Sequence, residues 1–208
     1  MLKLDSFPVG PLGCNCSLLW DVDTGVGIVV DPGGDGQKIR ARVEKAGFKV
    51  EALLHTHAHF DHVGATKELQ DLWQCPAYLH QGDDFLIENL DMQTGGFGFK
   101  SIPRPDMRDL NAGDCFEGLT TLHTPGHTPG SCCFHGEFEK GKVVLAGDTL
   151  FCGGIGRTDL WGGDFAQLEQ SIRSQLYKLD EGALVIPGHG PATTIGAEAE
   201  GNPFVRRT

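Results

Sequence analysis

The chain reads as a single mixed α/β domain, residues 1–208, built on mostly antiparallel sheet. Three observations lead there. Short apolar β-type runs alternate with tight turns along most of its length, and the 30 glycines fall largely between them. Four stretches carry the helical spacing of elements that cover a sheet. No linker-like or low-complexity segment interrupts the 208 residues, a length that buries a real core without disulfides.

The elements follow in order. Ser17–Trp20 and Val26–Val30 are strand candidates separated by Asp23-Thr24-Gly25, a hairpin-like turn, and the second run stops at Asp31-Pro32-Gly33-Gly34. A helical pattern runs from about Gln37 to Ala46 and closes on Gly47, the residue type favoured just past a helix end. Val50–Leu54 predicts a strand that leads into a histidine-rich loop, and Val63–Trp73 predicts a helix after it. Gln81–Leu90 predicts a further helix, whereas Gln93–Arg108 is rich in glycine, proline and aromatics and shows little periodicity. Strand patterns return at Leu119–Leu122, Ser131–Phe138 and Val143–Ala146. A helix over Asp164–Lys178 with Asp164 as its N-cap and a short strand at Leu184–Ile186 complete the chain.

Composition narrows the function. The net charge is −11 with acids scattered, which argues against nucleic acid or an anionic membrane as partner. No apolar run approaches the roughly 20 residues of a membrane helix, and Met1-Leu2-Lys3-Leu4-Asp5 lacks the basic start and apolar core of a signal peptide. A cytoplasmic protein is expected. The seven cysteines contain no C-x-x-C pair, so neither a disulfide framework nor a cysteine zinc site is indicated.

The chemistry is concentrated in His57-Ala58-His59-Phe60-Asp61-His62, four metal-type donors within six residues. Imidazole and carboxylate suit zinc, iron and manganese alike, with zinc the expected ion. Three further strand-like runs each end in a glycine-flanked donor: His127 in Thr124-Pro125-Gly126-His127-Thr128-Pro129-Gly130, Asp148 in Ala146-Gly147-Asp148-Thr149, and His189 in Pro187-Gly188-His189-Gly190-Pro191. Seven donors supply two ions with three terminal ligands each and one bridge. Asp148 is the natural bridge because a carboxylate has two oxygens. Two divalent ions about 3.5–4 Å apart lower the pKa of a shared water from 15.7 towards ~7, giving hydroxide at neutral pH. With Asp61 and Asp148 the bare centre carries about +2, enough to draw an anionic substrate to an acidic protein. The same two carboxylates are the candidate catalytic residues.

Other histidines fall outside this set. His55 and His123 sit at strand ends with at most an indirect role, and His80 and His135 read as ordinary strand or turn residues. Asp31, which ends a buried run, is the better candidate to accept the outer N–H of a ligand imidazole.

Thr56-His57-Ala58-His59-Phe60-Asp61-His62 with His127, Asp148 and His189 resembles the metallo-β-lactamase superfamily pattern over nearly the whole chain. The resemblance implies the αβ/βα sandwich, two mixed β-sheets flanked by helices with the metal site at one edge. It implies that His57, His59 and His127 hold one ion, that Asp61, His62 and His189 hold the second, and that Asp148 bridges them. Within the superfamily, Val30-Asp31-Pro32-Gly33-Gly34, Gly147-Asp148-Thr149-Leu150-Phe151 and Gly156-Arg157-Thr158-Asp159 are most similar to the glyoxalase II group. Pro187-Gly188-His189-Gly190-Pro191 followed by Asn202-Pro203-Phe204 is similar to its short bacterial branch. Full-length members carry a helical C-terminal domain that supplies much of the glutathione site, and this chain ends without it.

The implied activity is hydrolysis of a 2-hydroxyacyl thioester such as S-lactoylglutathione by a metal-bridging hydroxide, the substrate being a small glutathione conjugate. Hydrolysis of another ester, thioester or lactone is the neighbouring reading. A competing one is a persulfide dioxygenase with one iron on His57, His127 and Asp148; the intact set Asp61, His62 and His189 favours hydrolysis. An idle metal-binding scaffold is the third, and the complete donor set disfavours it.

Overall fold

The computed structural model describes residues 1–207 and shows two six-stranded sheets packed face to face, with helices on both outer faces. The first sheet runs in the order β1 (Leu2–Val9), β2 (Cys14–Asp21), β3 (Val26–Val30), β4 (Lys49–Leu54), β5 (Ala77–Leu79) and β6 (Met107–Asp109). Its first three strands form an antiparallel meander and the last three pairings are parallel. The parallel half departs from the expected antiparallel sheet because crossovers separate its strands: α1 (Gly36–Ala46) joins β3 to β4, and α2 (Phe60–Val63) with α3 (Thr66–Trp73) joins β4 to β5. Two short helices, α4 (Asp84–Glu88) and α5 (Leu90–Gly96), lie between β5 and β6.

In the second sheet β7 (Cys115–Phe116), β8 (Leu119–His123), β9 (Cys132–Phe138) and β10 (Gly141–Gly147) are successive antiparallel neighbours. A two-stranded ribbon, β11 (Leu150–Phe151) with β12 (Gly154–Ile155), and then α6 (Phe165–Ser174) follow. The chain returns as β13 (Leu184–Pro187), parallel to β10, and ends with β14 (Thr193–Thr194) and α7 (Ile195–Gly201).

Side-chain alternation builds the layers. On β3, Ile28 and Val30 face the second sheet, where they meet Leu119, Phe134 and Leu145; Val29 faces α1 and α3 with Ile39, Val43 and Leu69. On β10, Val143 and Leu145 point inward, while Val144 and Ala146 face Leu168 and Ile172 of α6. Both faces of these strands are covered, which is why they read as continuous apolar runs. Val50 shares sequence parity with Ala52 and Leu54 yet lies on the opposite face, because the β3–β4 register slips between Gly27 and Ile28.

Several predicted boundaries move. The helix expected over Val63–Trp73 starts earlier and breaks at Gly64–Ala65, so Asp61 and His62 stand on α2 rather than on a loop. Gly64 lies against Gly33, whose carbonyl would be 2.4 Å from an added Cβ. The Gln81–Leu90 prediction resolves into a 3₁₀ turn and α4, and α5 occupies part of a segment that shows no periodicity. Asp164 does cap α6 through Gln167 N, but that helix ends at Ser174 and a 3₁₀ turn carries Leu176–Lys178. Among the described residues no helix is long and apolar enough to cross a membrane.

Candidate metal centre

Strand ends bring the seven donors to one edge of the sandwich. β4 runs out into His57 and His59, α2 begins there with Asp61 and His62, and β10 ends at Gly147-Asp148. The loop after β8 delivers His127, and β13 ends at Pro187-Gly188-His189. The glycines are required by crowding at this edge. A Cβ on Gly188 would stand 2.1 Å from Asp148 Oδ1, and one on Gly126, at φ 137°, would fall 2.2 Å from the backbone of Leu168.

The donors form two groups. His57 Nε2 is 3.1 Å and His127 Nε2 3.0 Å from His59 Nδ1. His62 Nε2 is 3.3 Å from His189 Nε2, which is 3.1 Å from Asp61 Oδ2. Asp148 lies between them, with Oδ1 3.4 Å from His62 Nε2 and Oδ2 3.6 Å from His127 Nε2. Ligands held about 2.0–2.1 Å from a common ion at tetrahedral angles stand roughly 3.3 Å apart, the spacing seen here.

Outer hydrogen bonds fix which nitrogen of each ring faces inward. His127 Nδ1 donates to the Arg157 carbonyl (2.7 Å), His189 Nδ1 to the Leu12 carbonyl (3.1 Å) and His62 Nδ1 to Asp31 Oδ2 (3.0 Å). Thr56 Oγ1 gives its proton to Asp31 and therefore accepts from His57 Nδ1 at 3.1 Å. A neutral imidazole has one N–H, so all four present a bare Nε2 lone pair to the centre. Asp148 Oδ1 is buried and has no hydrogen-bond partner. Lone pairs and an orphaned carboxylate oxygen packed this closely repel one another unless a cation sits among them, and the donor set fits divalent metal ions.

Charge states agree for the His57–His59–His127 group; in the other, burial would lower the imidazoles but neighbouring anionic groups outweigh it and raise His62 and His189, protons that a bound cation would displace. Burial, reinforced by the neighbouring imidazoles, pushes His57 well below its ordinary pKa, and burial with His127 takes His59 down to about 3. Burial also lowers His127. Burial alone would raise Asp148, but His62, His127 and His189 outweigh it and hold the carboxyl well below the usual range. Neutral imidazole and ionised carboxylate are the forms that bind metal.

Asp31 stands where a supporting acid is needed, buried and at φ 50°, accepting from Thr56 N at 2.8 Å as well as from His62. His55 is outside the centre, as its position predicts: it is fully buried between the Tyr78 carbonyl and Thr66 Oγ1. His123 stacks on His80, ring centroids 4.0 Å apart, and binds the Pro129 carbonyl. All seven cysteines are free, five of them buried.

Three supports escape sequence reading. Cys14 Sγ lies 3.5 Å from His62 Nδ1, its thiol pushed up to about 12 by burial. Gln93 ties α5 to the ligand loop, accepting from Phe60 N and donating to the Ala58 carbonyl. Asp83, fully buried, accepts from Ala58 N (3.0 Å), Gly130 N (2.7 Å) and Thr128 Oγ1 (2.8 Å), so one carboxylate joins the loop of His57 and His59 to the loop of His127. Nothing local in Gln81-Gly82-Asp83-Asp84 signals this, since the partners lie 25 to 47 residues away.

Comparisons with known proteins agree with this geometry. The metallo-beta-lactamase superfamily model matches residues 9–189. The chain is 39% identical over 212 residues to the probable metallo-hydrolase YqgX of Bacillus subtilis, covering 98% of each. It is 39% identical over 215 residues to hydroxyacylglutathione hydrolase GloC of Haemophilus influenzae, again with 98% of both chains covered. Among solved structures, TTHA1623 in a di-iron-bound form superposes with a TM-score of 0.87 at 38% identity, over 97% of this chain and all of that one. With matched sequence, matched fold and a converged His/Asp edge, the chain belongs to the metallo-beta-lactamase superfamily, as one of its metallo-hydrolases.

Proposed function

We propose that the protein hydrolyses acyl thioesters, with 2-hydroxyacyl thioesters such as S-lactoylglutathione as the reference substrates. His57, His59 and His127 would hold one divalent ion, Asp61, His62 and His189 a second, and Asp148 would bridge them. The observation that carries the reading is the orphaned, buried Asp148 Oδ1 between two groups of inward-facing donors. Such a pair of ions supplies an activated water and polarises a carbonyl oxygen.

The chain's own groups do the rest. The centre forms the floor of a cleft of about 470 Å³, in which Asp61 and Asp148 are the acids that line the wall. These two carboxylates would orient the attacking water by accepting its hydrogen bonds, its proton passing to solvent. A thiolate is a good enough leaving group to depart unprotonated and take its proton from solvent, so the reaction requires no general acid. A mononuclear iron dioxygenase would use His57, His127 and Asp148 and leave Asp61, His62 and His189 idle; the 3.1–3.3 Å spacing of that second group supports hydrolysis. The name of the Haemophilus influenzae relative supports a thioester substrate.

The test is turnover of S-lactoylglutathione and an acyl-thioester panel by protein loaded with zinc, iron or manganese, followed as thiol release. Expected is activity that chelation abolishes. No thiol release with two equivalents of metal bound, or oxygen uptake with glutathione persulfide in its place, overturns the reading.

A further inference from the structure

The walls of the cleft differ in chemistry from its floor. The lining includes Phe60 and Phe97, ring centroids 5.3 Å apart, with Leu86 and Met92, and Phe99 packs on Phe60 at the same distance without reaching the cleft. Leu160 and Trp161 from the loop before α6 and Leu12 from the β1–β2 turn complete its apolar lining. Leu12, Met92, Phe97 and Trp161 are 45 to 60% exposed, so apolar surface clusters around the mouth of a polar site.

The polar groups on these walls are already engaged. Gln93 spends both amide hydrogens on the Ala58 and Leu86 carbonyls and accepts from Phe60 N. Arg157 lies along Asp159 through Nε (2.7 Å) and Nη2 (2.8 Å), which cancels its charge. Arg157 is the one Lys or Arg among the lining residues, so a substrate arm with two carboxylates and an ammonium group, as glutathione has, would lose hydration against this lining for little countercharge.

We infer that the substrate's non-reacting arm is apolar: a hydrocarbon chain seated among Phe60, Phe97, Leu160 and Trp161. The inference rests on the thioesterase reading for the chemistry at the floor, and only on the walls for the arm. The chain could belong to the acyl group or to the thiol, and two substrate series separate these sources. One consists of N-acetylcysteamine thioesters from acetyl to octanoyl. The other consists of lactoyl thioesters of alkanethiols from ethyl to octyl, with S-lactoylglutathione as the polar reference.

With zinc-loaded protein, kcat/KM is expected to climb about two- to fourfold per added methylene in one series until the cleft fills. The best member should exceed S-lactoylglutathione at least tenfold. Trp161→Ala and Phe97→Ala should flatten that slope, whereas a damaged fold lowers every member alike. Calorimetric titration of chelator-treated protein with alkyl thioethers, methyl to octyl, reads the same preference without turnover. Length-independent rates and binding, an undiminished slope in both variants, or S-lactoylglutathione as the best substrate would overturn the inference. Length-dependent thioether binding with no thioester cleaved would instead overturn the thioesterase reading and leave the apolar arm standing.

Discussion

Replacing Asp83 with asparagine separates the two things its buried carboxylate does. Burial, only partly offset by Thr128, Gly130 N and Ala58 N, raises its pKa to about 6 from an ordinary 3.8. The folded chain therefore holds this proton more tightly than the unfolded one. The associated stability is complete below about pH 4 and is lost as pH rises through about 6. At about 1.4 kcal/mol per pH unit, the ionised carboxylate costs about 3 kcal/mol at pH 8. Asparagine escapes that cost. Its NH₂, however, has no lone pair, so placed at either oxygen position it leaves Ala58 N or Gly130 N buried without an acceptor, at about 1–3 kcal/mol. The two effects nearly cancel at pH 8, where the net change should stay within about 2 kcal/mol. At pH 5 part of the ionisation cost is gone, and the variant should fall behind by a further 1–1.5 kcal/mol or so, about 2–6 °C in Tm. Thermal melts of chelated wild type and Asp83→Asn at the two pH values measure this difference. Because Ala58 lies between His57 and His59, zinc affinity by chelator competition should also weaken about tenfold. An identical Tm gap at pH 5 and pH 8 with unchanged zinc affinity would refute the reasoning.

Asp31→Asn should lower metal affinity about 10- to 100-fold in the same competition, since its NH₂ must face either His62 N–H or Thr56 N–H; unaltered affinity would remove Asp31 from the ligand support. Gly188→Ala forces a methyl group to within 2.1 Å of Asp148 Oδ1, and kcat/KM for the best thioester should drop about 10²-fold; near wild-type turnover would show that Asp148 can move freely. Zinc at about 100 times its Kd should raise Tm by about 5–11 °C over chelated protein, from about 2.7 kcal/mol of linked binding energy. A Tm insensitive to metal would argue against ligands that converge only in the folded chain.

What was legible in the sequence follows from locality. The run His57–His62 announces itself by its density of donors, and His127, Asp148 and His189 by the adjacent glycines that close packing at strand ends demands. The strands β3, β4 and β10 announce themselves as apolar runs because both their faces are covered. Short β5 and β6 do not, since three residues carry no period, and the parallel order of β3–β6 depends on crossovers that no local pattern encodes.

Residue chemistry by itself therefore picked out the candidate donors, the class of ions they suit, and the strands that deliver them. Tertiary structure alone decided how they act together. It set Asp148 between two donor groups and turned four Nε2 lone pairs inward through acceptors at Arg157, Leu12, Thr56 and Asp31. It placed Asp83 across two ligand loops and walled the centre with Phe60, Phe97 and Trp161. The physical reason is range: a donor's identity and its glycine neighbours are local facts, whereas a ring's tautomer, a carboxylate's partners and a cleft's lining depend on groups brought together from distant parts of the chain.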